Sequence, residues 1–201
     1  RTKVNLIWVG TIGAGVNIYN PEQKEFTHYP LRNLDSNLSN SNFIRSVYVD
    51  NKNRIWAGTL GSGLFLFDRQ TKKIKKLKLE VLSVFFIYPY KENKVFICTG
   101  SGMYLVKLAD DKLRILSHCE NNATFNIVKG ESETYWLAAL NGLSRFKVVD
   151  DEIVVDKEYT DNTDPKISHK NCRVLFYDKI SSTLCVGTEG GGLNVISLDN
   201  D

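Results

Sequence analysis

The sequence has no long hydrophobic run, few cysteines and few histidines, and each shortage excludes a class of protein. No uninterrupted apolar stretch is long enough to span a bilayer. The four cysteines are too scattered for a disulfide scaffold, and no Cys/His pair has the spacing of zinc ligands. The sequence therefore predicts no disulfide scaffold, no metal site and no cofactor.

The chain also lacks a large excess of positive or negative charge. The chain has 26 basic and 23 acidic residues, which leaves a net charge of +3. This balance favours neither a nucleic-acid coat nor a membrane-surface protein. The 201 residues, 42% of them hydrophobic, are enough to build a sizeable core. They begin without Met and enter a strand-like segment almost at once, so we expect a piece of a larger protein.

What the sequence does contain is a repeat. The segment IWVGTIGAGVNIYN at 7–20 recurs as IWAGTLGSGLFLFD at 55–68 and LCVGTEGGGLNVIS at 184–197, and in shortened form at 95–107 and 135–146. The second position of each copy is aromatic in the first four copies and cysteine in the last: Trp8, Trp56, Phe96, Trp136 and Cys185. A period of about 40–50 residues is typical of propeller blades, each a sheet of four short strands.

Strand-like segments surround each copy, which gives every unit an A–B–C–D order with the glycine loop joining B to C. The chain should enter at strand B of the first unit and stop after strand C of the fifth, which predicts eighteen strands. The predicted fold class is all-β, a β-propeller segment of about four and a half blades. The expected blade limits are 1–40, 41–80, 81–118, 119–165 and 166–201. We expect one propeller fragment that forms an open arc of a larger ring; a distorted five-blade closure is the alternative.

The closely spaced glycines allow two interpretations. A dinucleotide or phosphate loop would open a helix or carry a Lys-Ser/Thr pair, and these segments do neither. Strand formers follow the glycines instead, and a tight hairpin needs residues with positive φ. The favoured interpretation is therefore structural for the glycine pairs of three copies: Gly13, Gly15, Gly61, Gly63, Gly190 and Gly192. The aromatic residues at the second position are likewise expected to fill the space between neighbouring sheets.

The stretch DNKNRIWAGTLGSGL, from Asp50 to Leu64, resembles the two-component regulator propeller repeat. The third and fourth copies depart from that pattern, since Cys98 and Ala138 stand where the first copy has Gly10. The resemblance implies the periplasmic sensor region of a hybrid two-component receptor. In such receptors paired propellers precede a β-sandwich, a membrane helix and a histidine kinase, and many sense oligosaccharides, with the receptor acting as a homodimer. None of the kinase chemistry lies within this chain, so the segment itself is expected to be non-catalytic.

Candidate ligand-binding residues stand early in strand A, the innermost strand of a blade. Arg45 and Arg173 occupy equivalent places, and a guanidinium there could bind sugar hydroxyls or a carboxylate. Asparagines lie close to the same register in several units: Asn42, Asn126 and Asn171. Salt bridges that only stabilise the blade are the alternative for the arginines.

Two charged segments have simpler explanations. TKKIKKLKLE at 71–80 carries five lysines, which on an outer strand D would guard against edge-to-edge aggregation rather than bind nucleic acid. The acidic stretch 150–164 is expected to be a solvated D–A connection, with a weak Ca²⁺ site as the alternative.

Catalysis has little support. The three histidines, His28, His118 and His169, belong to no hydrolase or metalloprotease motif. A propeller lyase or glycosidase and a purely architectural propeller remain the rival functions.

Overall fold

The protein is described by a computed structural model that covers residues 6–31, 42–109 and 112–198. These residues form eighteen strands in five antiparallel sheets and no α-helix. The first sheet consists of β1 (Ile7–Thr11), β2 (Gly15–Asn20) and β3 (Glu25–Tyr29). The second consists of β4 (Ile44–Val49), β5 (Ile55–Thr59), β6 (Leu64–Phe67) and β7 (Ile74–Leu77).

The remaining three sheets repeat this plan. The third contains β8 (Val84–Pro89), β9 (Lys94–Thr99), β10 (Gly102–Ala109) and β11 (Lys112–Glu120). The fourth contains β12 (Thr124–Lys129), β13 (Tyr135–Ala139), β14 (Gly142–Val149) and β15 (Glu152–Tyr159). The fifth contains β16 (Cys172–Asp178), β17 (Thr183–Thr188) and β18 (Gly192–Ser197). The prediction of three strands, three sets of four and a final three is therefore confirmed.

The chain divides into two compact units. The first takes its described residues from Arg1–Val95 and Lys107–Arg114, and the second from Phe96–Val106 and Ile115–Asp201. The division runs through the third sheet, so it does not follow the expected blade limits, which stay a prediction.

In the first unit, the first two sheets share an apolar core that contains Val16, Leu31, Ile44, Ala57 and Phe65. In the second unit, a larger core joins the fourth and fifth sheets and contains Trp136, Leu143, Leu175, Leu184 and Val186. Burial of such side chains stabilises each unit by roughly 25 cal/mol for every Å² of apolar surface removed from water.

The glycine hairpins use their backbone N–H groups within the fold. Gly13 and Gly15 both donate to the carbonyl oxygen of Asn42, at 3.0 Å each. In the next copy of the repeat, Gly61 and Gly63 donate to the carbonyl oxygen of Leu82 at 3.0 and 2.7 Å. In these two hairpins the amides that would cradle a phosphate are thus already satisfied by the start of the following strand A.

In four of the hairpins, the side chain of a threonine forms a hydrogen bond across the loop. Its hydroxyl donates to the carbonyl oxygen of the glycine that opens strand C or directly precedes it, at 2.8 Å in all four cases. The donors are Thr11, Thr59, Thr99 and Thr188. Glycine residues that open strand C have positive φ, for example +79° at Gly15 and +75° at Gly192.

The aromatic position is buried in the interior copies and open in the first. Trp56, Phe96 and Trp136 have at most 1% of their surface exposed, whereas Trp8 is only half-buried. Trp8 packs against Phe67, with ring centroids 5.9 Å apart.

A polar network surrounds the turn between β4 and β5. Asp50 Oδ1 accepts the backbone N–H groups of Lys52 and Arg54, at 3.0 and 2.9 Å. Its Oδ2 accepts the Nε–H of Arg54 at 2.8 Å and the indole N–H of Trp56 at 3.2 Å. The side chains of Asp50 and Arg54 are only 9% and 11% exposed, so this ion pair is largely shielded from water.

The acidic stretch corrects one expectation. Most of 150–164 is not a connection but the outer strand β15, in which exposed and half-buried residues alternate. Its acidic residues stand on the exposed side, and Asp156 pairs with Arg145 of β14 at 3.1 Å. The acidic composition indicated solvent exposure correctly but not strand structure, because an outer strand can be polar on one face.

Candidate functional site

Strand A of three sheets carries a β-bulge at the same place. The pairing register shifts between Ile44 and Ser46, between Thr124 and Asn126, and between Cys172 and Val174. The residues that bulge out are Arg45, Phe125 and Arg173. A bulged residue leaves the regular ladder, and this re-aims its side chain. Both arginines predicted from the sequence are therefore bulge residues.

The second unit gathers a cluster of polar side chains around one of these bulges. We call Phe125, Asn171, Arg173 and Glu189 the bulge cluster. The guanidinium carbon of Arg173 lies 3.9 Å from the centroid of the Phe125 ring, in a cation–π contact. Arg173 Nε donates to Glu189 Oε2 at 2.6 Å, and a second guanidinium nitrogen contacts the same oxygen.

Asn171 completes the cluster from the start of strand A. Its Nδ2 donates to Glu189 Oε2 at 3.1 Å, and its carbonyl oxygen accepts the backbone N–H of Glu189 at 2.8 Å. Its side-chain Oδ1 is buried without a hydrogen-bond partner among the described residues. A buried acceptor of this kind is stabilised by a donor such as a hydroxyl group or a water molecule.

The cluster is open to solvent and close to neutral. The side chains of Arg173 and Glu189 are 40% and 61% exposed. Because the carboxylate balances the guanidinium, the cluster offers hydrogen-bond donors and acceptors without a strong net charge. This combination, with an aromatic ring below it, suits a neutral ligand rich in hydroxyl groups better than an anion.

The other predicted site residues lie outside the bulge cluster, and the two asparagines among them bond backbone groups. Asn126 Oδ1 accepts the backbone N–H of Leu175 at 3.0 Å, which joins β12 to β16. Asn42 is 4% exposed, and its Oδ1 accepts the backbone N–H of Leu31 at 2.7 Å. Arg45 is exposed and forms no hydrogen bond or ion pair with the described part of the chain. The structure thus brings together Asn171 and Arg173 in the second unit, and it places Asn42 and Arg45 in the first.

Sequence reasoning missed two members of the cluster, although signals for both were present. Phe125 stands in the same repeat position as Arg45 and Arg173. Glu189 follows the hairpin threonine, where the first two copies have Ile12 and Leu60. A charged residue at a position that is otherwise apolar indicates a local role that the other copies do not have.

The histidines make local contacts. His28 Nδ1 lies 3.0 Å from Asn17 Oδ1, and His169 Nδ1 accepts the backbone N–H of Asn171 at 3.2 Å. The ring of His118 stacks on Tyr104 with centroids 3.9 Å apart. Within residues 6–31, 42–109 and 112–198, no three His, Cys, Asp or Glu side chains are grouped closely enough to hold a metal ion.

The described residues contain no helix with the length and apolarity needed to cross a bilayer.

Comparison with known proteins finds a family match for one stretch of the chain. Residues 37–61 match the sequence profile of the two-component regulator propeller family. No protein with a curated description matches the sequence significantly.

Three solved structures have a similar fold. The extracellular domain assigned to the hybrid two-component system BT3049 from B. thetaiotaomicron has a TM-score of 0.60 at 19% identity, over 95% of this chain. A computationally designed protein, Ika8, has a TM-score of 0.68 at 11% identity, over 98% of this chain and 57% of its own. The WD40 β-propeller domain of Doa1 has a TM-score of 0.66 at 11% identity, over 97% of this chain and 62% of its own.

At these identities the structural matches establish the fold alone, and the chain spans 32% of the length of the BT3049 domain. The repeated hairpins, the strand order and the matched segment agree with one another. The chain is a β-propeller segment in which residues 37–61 match the two-component regulator propeller repeat.

Proposed function

We propose that this chain belongs to the periplasmic sensor region of a two-component receptor and binds a neutral oligosaccharide at the bulge cluster. The observation that carries the proposal is the two-component regulator propeller repeat at 37–61. The similar fold of an extracellular domain from a hybrid two-component system supports the same placement. The segment is non-catalytic, and a histidine kinase elsewhere in a dimeric parent receptor would carry out the phosphoryl transfer.

The cluster supplies the groups that recognise sugars. Arg173 offers donors, Glu189 Oε1 offers an acceptor, and Phe125 offers an apolar surface. If the sugar binds one receptor conformation better than another, it shifts the population toward that conformation and so transmits a signal.

Calorimetry on the whole receptor with a panel of neutral oligosaccharides tests the proposal. Arg173→Ala and Glu189→Gln should each weaken binding of the active sugar at least tenfold, since each removes a charge-assisted hydrogen bond, worth about 1.5–3 kcal/mol. Arg114→Ala is the matched control, because it removes an exposed arginine of β11. Arg45→Ala asks the same question of the other bulge arginine.

Each rival function has its own result. Heat from no sugar in the panel would favour an architectural propeller. Turnover of a polysaccharide that is lost in His118→Ala or His169→Ala would show an enzyme. Binding that survives Arg173→Ala and Glu189→Gln but is lost in Arg45→Ala would move the site to the first unit.

A further inference from the structure

The fifth sheet leaves one apolar face open to solvent. Val174 and Phe176 of β16 are 56% and 64% exposed, and Leu193 and Val195 of β18 are 66% and 64% exposed. The register aligns Val174, Gly187 and Leu193 across the three strands, and it aligns Phe176 with Val195 two residues away, so all five share one side of the sheet. We call these five residues the fifth-sheet face. An exposed apolar area of this kind indicates a surface that another segment covers.

The same repeat position is buried in the other four copies. The residue after the glycine of strand C is, in chain order, Val16, Leu64, Met103, Leu143 and Leu193. The first four of these side chains are at most 5% exposed, whereas Leu193 is 66% exposed. The position is therefore built to be covered, and no described residue buries it in the fifth sheet.

The first two sheets show what packs against the glycine of strand B on this side of a sheet. A Cβ on Gly10 would lie 2.5 Å from Ile44, and one on Gly58 would lie 2.6 Å from Val84. In both cases the following strand A thus places a branched aliphatic residue against the glycine. Gly187 has the same repeat position in the fifth sheet. The only non-neighbouring residue within 4 Å of a Cβ there belongs to its own sheet, so no described strand A fills this slot.

The glycine hairpin of the fifth sheet also lacks the acceptor that the first two hairpins have. In those two, a carbonyl group two residues before the branched aliphatic residue accepts both hairpin amides: Asn42 precedes Ile44, and Leu82 precedes Val84. Gly190 is the first of the two hairpin glycines in the fifth copy, and its N–H has no hydrogen-bond partner among the described residues. The hairpin therefore offers a main-chain donor beside the open apolar face, a combination that suits an added β-strand.

The strand that fits this surface should come from the same parent chain. Both of the first two hairpins bind the strand A that follows them in the chain. A second copy of this chain fits less well, because every strand A among the described residues already pairs with a strand B of its own sheet.

We propose that the fifth-sheet face binds the first strand of a further blade, supplied by the same parent chain. This strand has a carbonyl group that accepts the Gly190 N–H and, two residues later, an Ile or Val that packs on Gly187. The residue between them lies opposite Glu189, as Phe43 lies opposite Ile12 in the first hairpin. The expected open arc requires only that some segment follows, whereas these contacts define the residues with which that segment begins. The interaction needs no ligand at the bulge cluster, so either proposal can fail without the other.

Photocross-linking in the whole receptor identifies the segment that covers the face. Leu193→benzoylphenylalanine should cross-link to a segment of the same chain beyond Asp201, and mass spectrometry should find the carbonyl-x-Ile/Val pattern at the start of a strand there. Ile115→benzoylphenylalanine is the matched control, because Ile115 is 53% exposed on β11, and it should not reach that segment. A cross-link from residue 193 to a second copy or to another protein, or none above the control, would overturn the proposal.

Hydrogen exchange resolved to single residues, on the same receptor, measures the backbone contact. The Gly190 amide should exchange at least about tenfold more slowly than an unprotected amide, as expected for Gly61, which already donates to a carbonyl group. Leu193→Asp places a charge on the apolar face, so it should speed exchange at Gly190 while Gly61 stays protected and shows that the fold is intact. Ile115→Asp should leave both amides unchanged. An unprotected Gly190 amide, or equal effects of the two Asp variants, would contradict the proposal.

Discussion

Asp50 offers the sharpest test of how the repeat stabilises its own turn. Its carboxylate accepts four hydrogen bonds: two backbone N–H groups, the Nε–H of Arg54 and the indole N–H of Trp56. Asp50→Ala leaves a guanidinium that is 11% exposed without its carboxylate. Removing one partner of a buried ion pair costs about 3–5 kcal/mol, and we expect a loss of unfolding free energy in that range.

Urea unfolding followed by tryptophan fluorescence measures this loss. The matched control is Asp178→Ala, because Asp178 ends strand A of the fifth sheet but lies in an exposed turn, where it bonds Ile180 and Ser181. That control should cost far less. Arg54→Ala added to Asp50→Ala should cost less than the sum of the two single changes, since both remove the same pair. An Asp50→Ala loss no larger than that of Asp178→Ala, or strict additivity with Arg54→Ala, would refute the reasoning.

Three other expectations can be checked on the same chain. Gly15→Ala should destabilise the protein more than Gly192→Ala, although φ is +79° at Gly15 and +75° at Gly192. The new Cβ would lie 2.7 Å from a backbone oxygen at Gly15 but would have open space at Gly192. Thermal unfolding of the two variants measures the difference. Cys98 should react with iodoacetamide at pH 8 far more slowly than the part-exposed Cys185. Burial raises the pKa of Cys98 to about 12, so its reactive thiolate forms only as the pH approaches that value. Mass spectrometry of the labelled peptides measures the ratio of the two labelling rates, and similar rates would contradict the expectation. Arg173→Ala should lower the unfolding free energy by less than about 1 kcal/mol, because its ion pair is exposed, so a larger loss would mean that its role is structural.

The sequence predicted the five sheets because period, alternation and turn chemistry all pointed to the same unit. It also exposed two copies that lack the first glycine of the motif, but it could not explain them. In the structure, a Cβ on Gly10 would lie 2.5 Å from a side-chain carbon of Ile44, and one on Gly58 would lie 2.6 Å from Val84. Glycine is thus needed where the following strand A begins with a branched aliphatic residue.

The third and fourth copies, which have Cys98 and Ala138 in place of this glycine, face smaller residues at the start of the following strand A. Cys98 bonds the smaller Thr124, and Ala138 shares a core with the smaller Cys172. A larger residue in strand B is thus accompanied by a smaller residue at the start of the following strand A, and the two positions lie 34 or 26 residues apart. Reading it requires knowing which residues touch, so the repeat pattern alone could not reveal it.

The candidate site was predictable only in part for the same reason. The arginines stood out because their charge recurs at one place in strand A. Glu189 did not, since it joins the bulge cluster through contacts that depend on hairpin geometry. Asn42 and Asn126 shared the predicted register, but their amides bind backbone groups instead.

The recurrent bulge leaves one residue of strand A out of the regular strand pairing in three sheets. Positions 45, 125 and 173 carry arginine, phenylalanine and arginine on the same backbone irregularity. Because no ladder hydrogen bond depends on the side chain there, these positions can diversify during evolution while the scaffold is preserved. A combinatorial library confined to these three positions would therefore be a direct route to propellers with altered ligand preference.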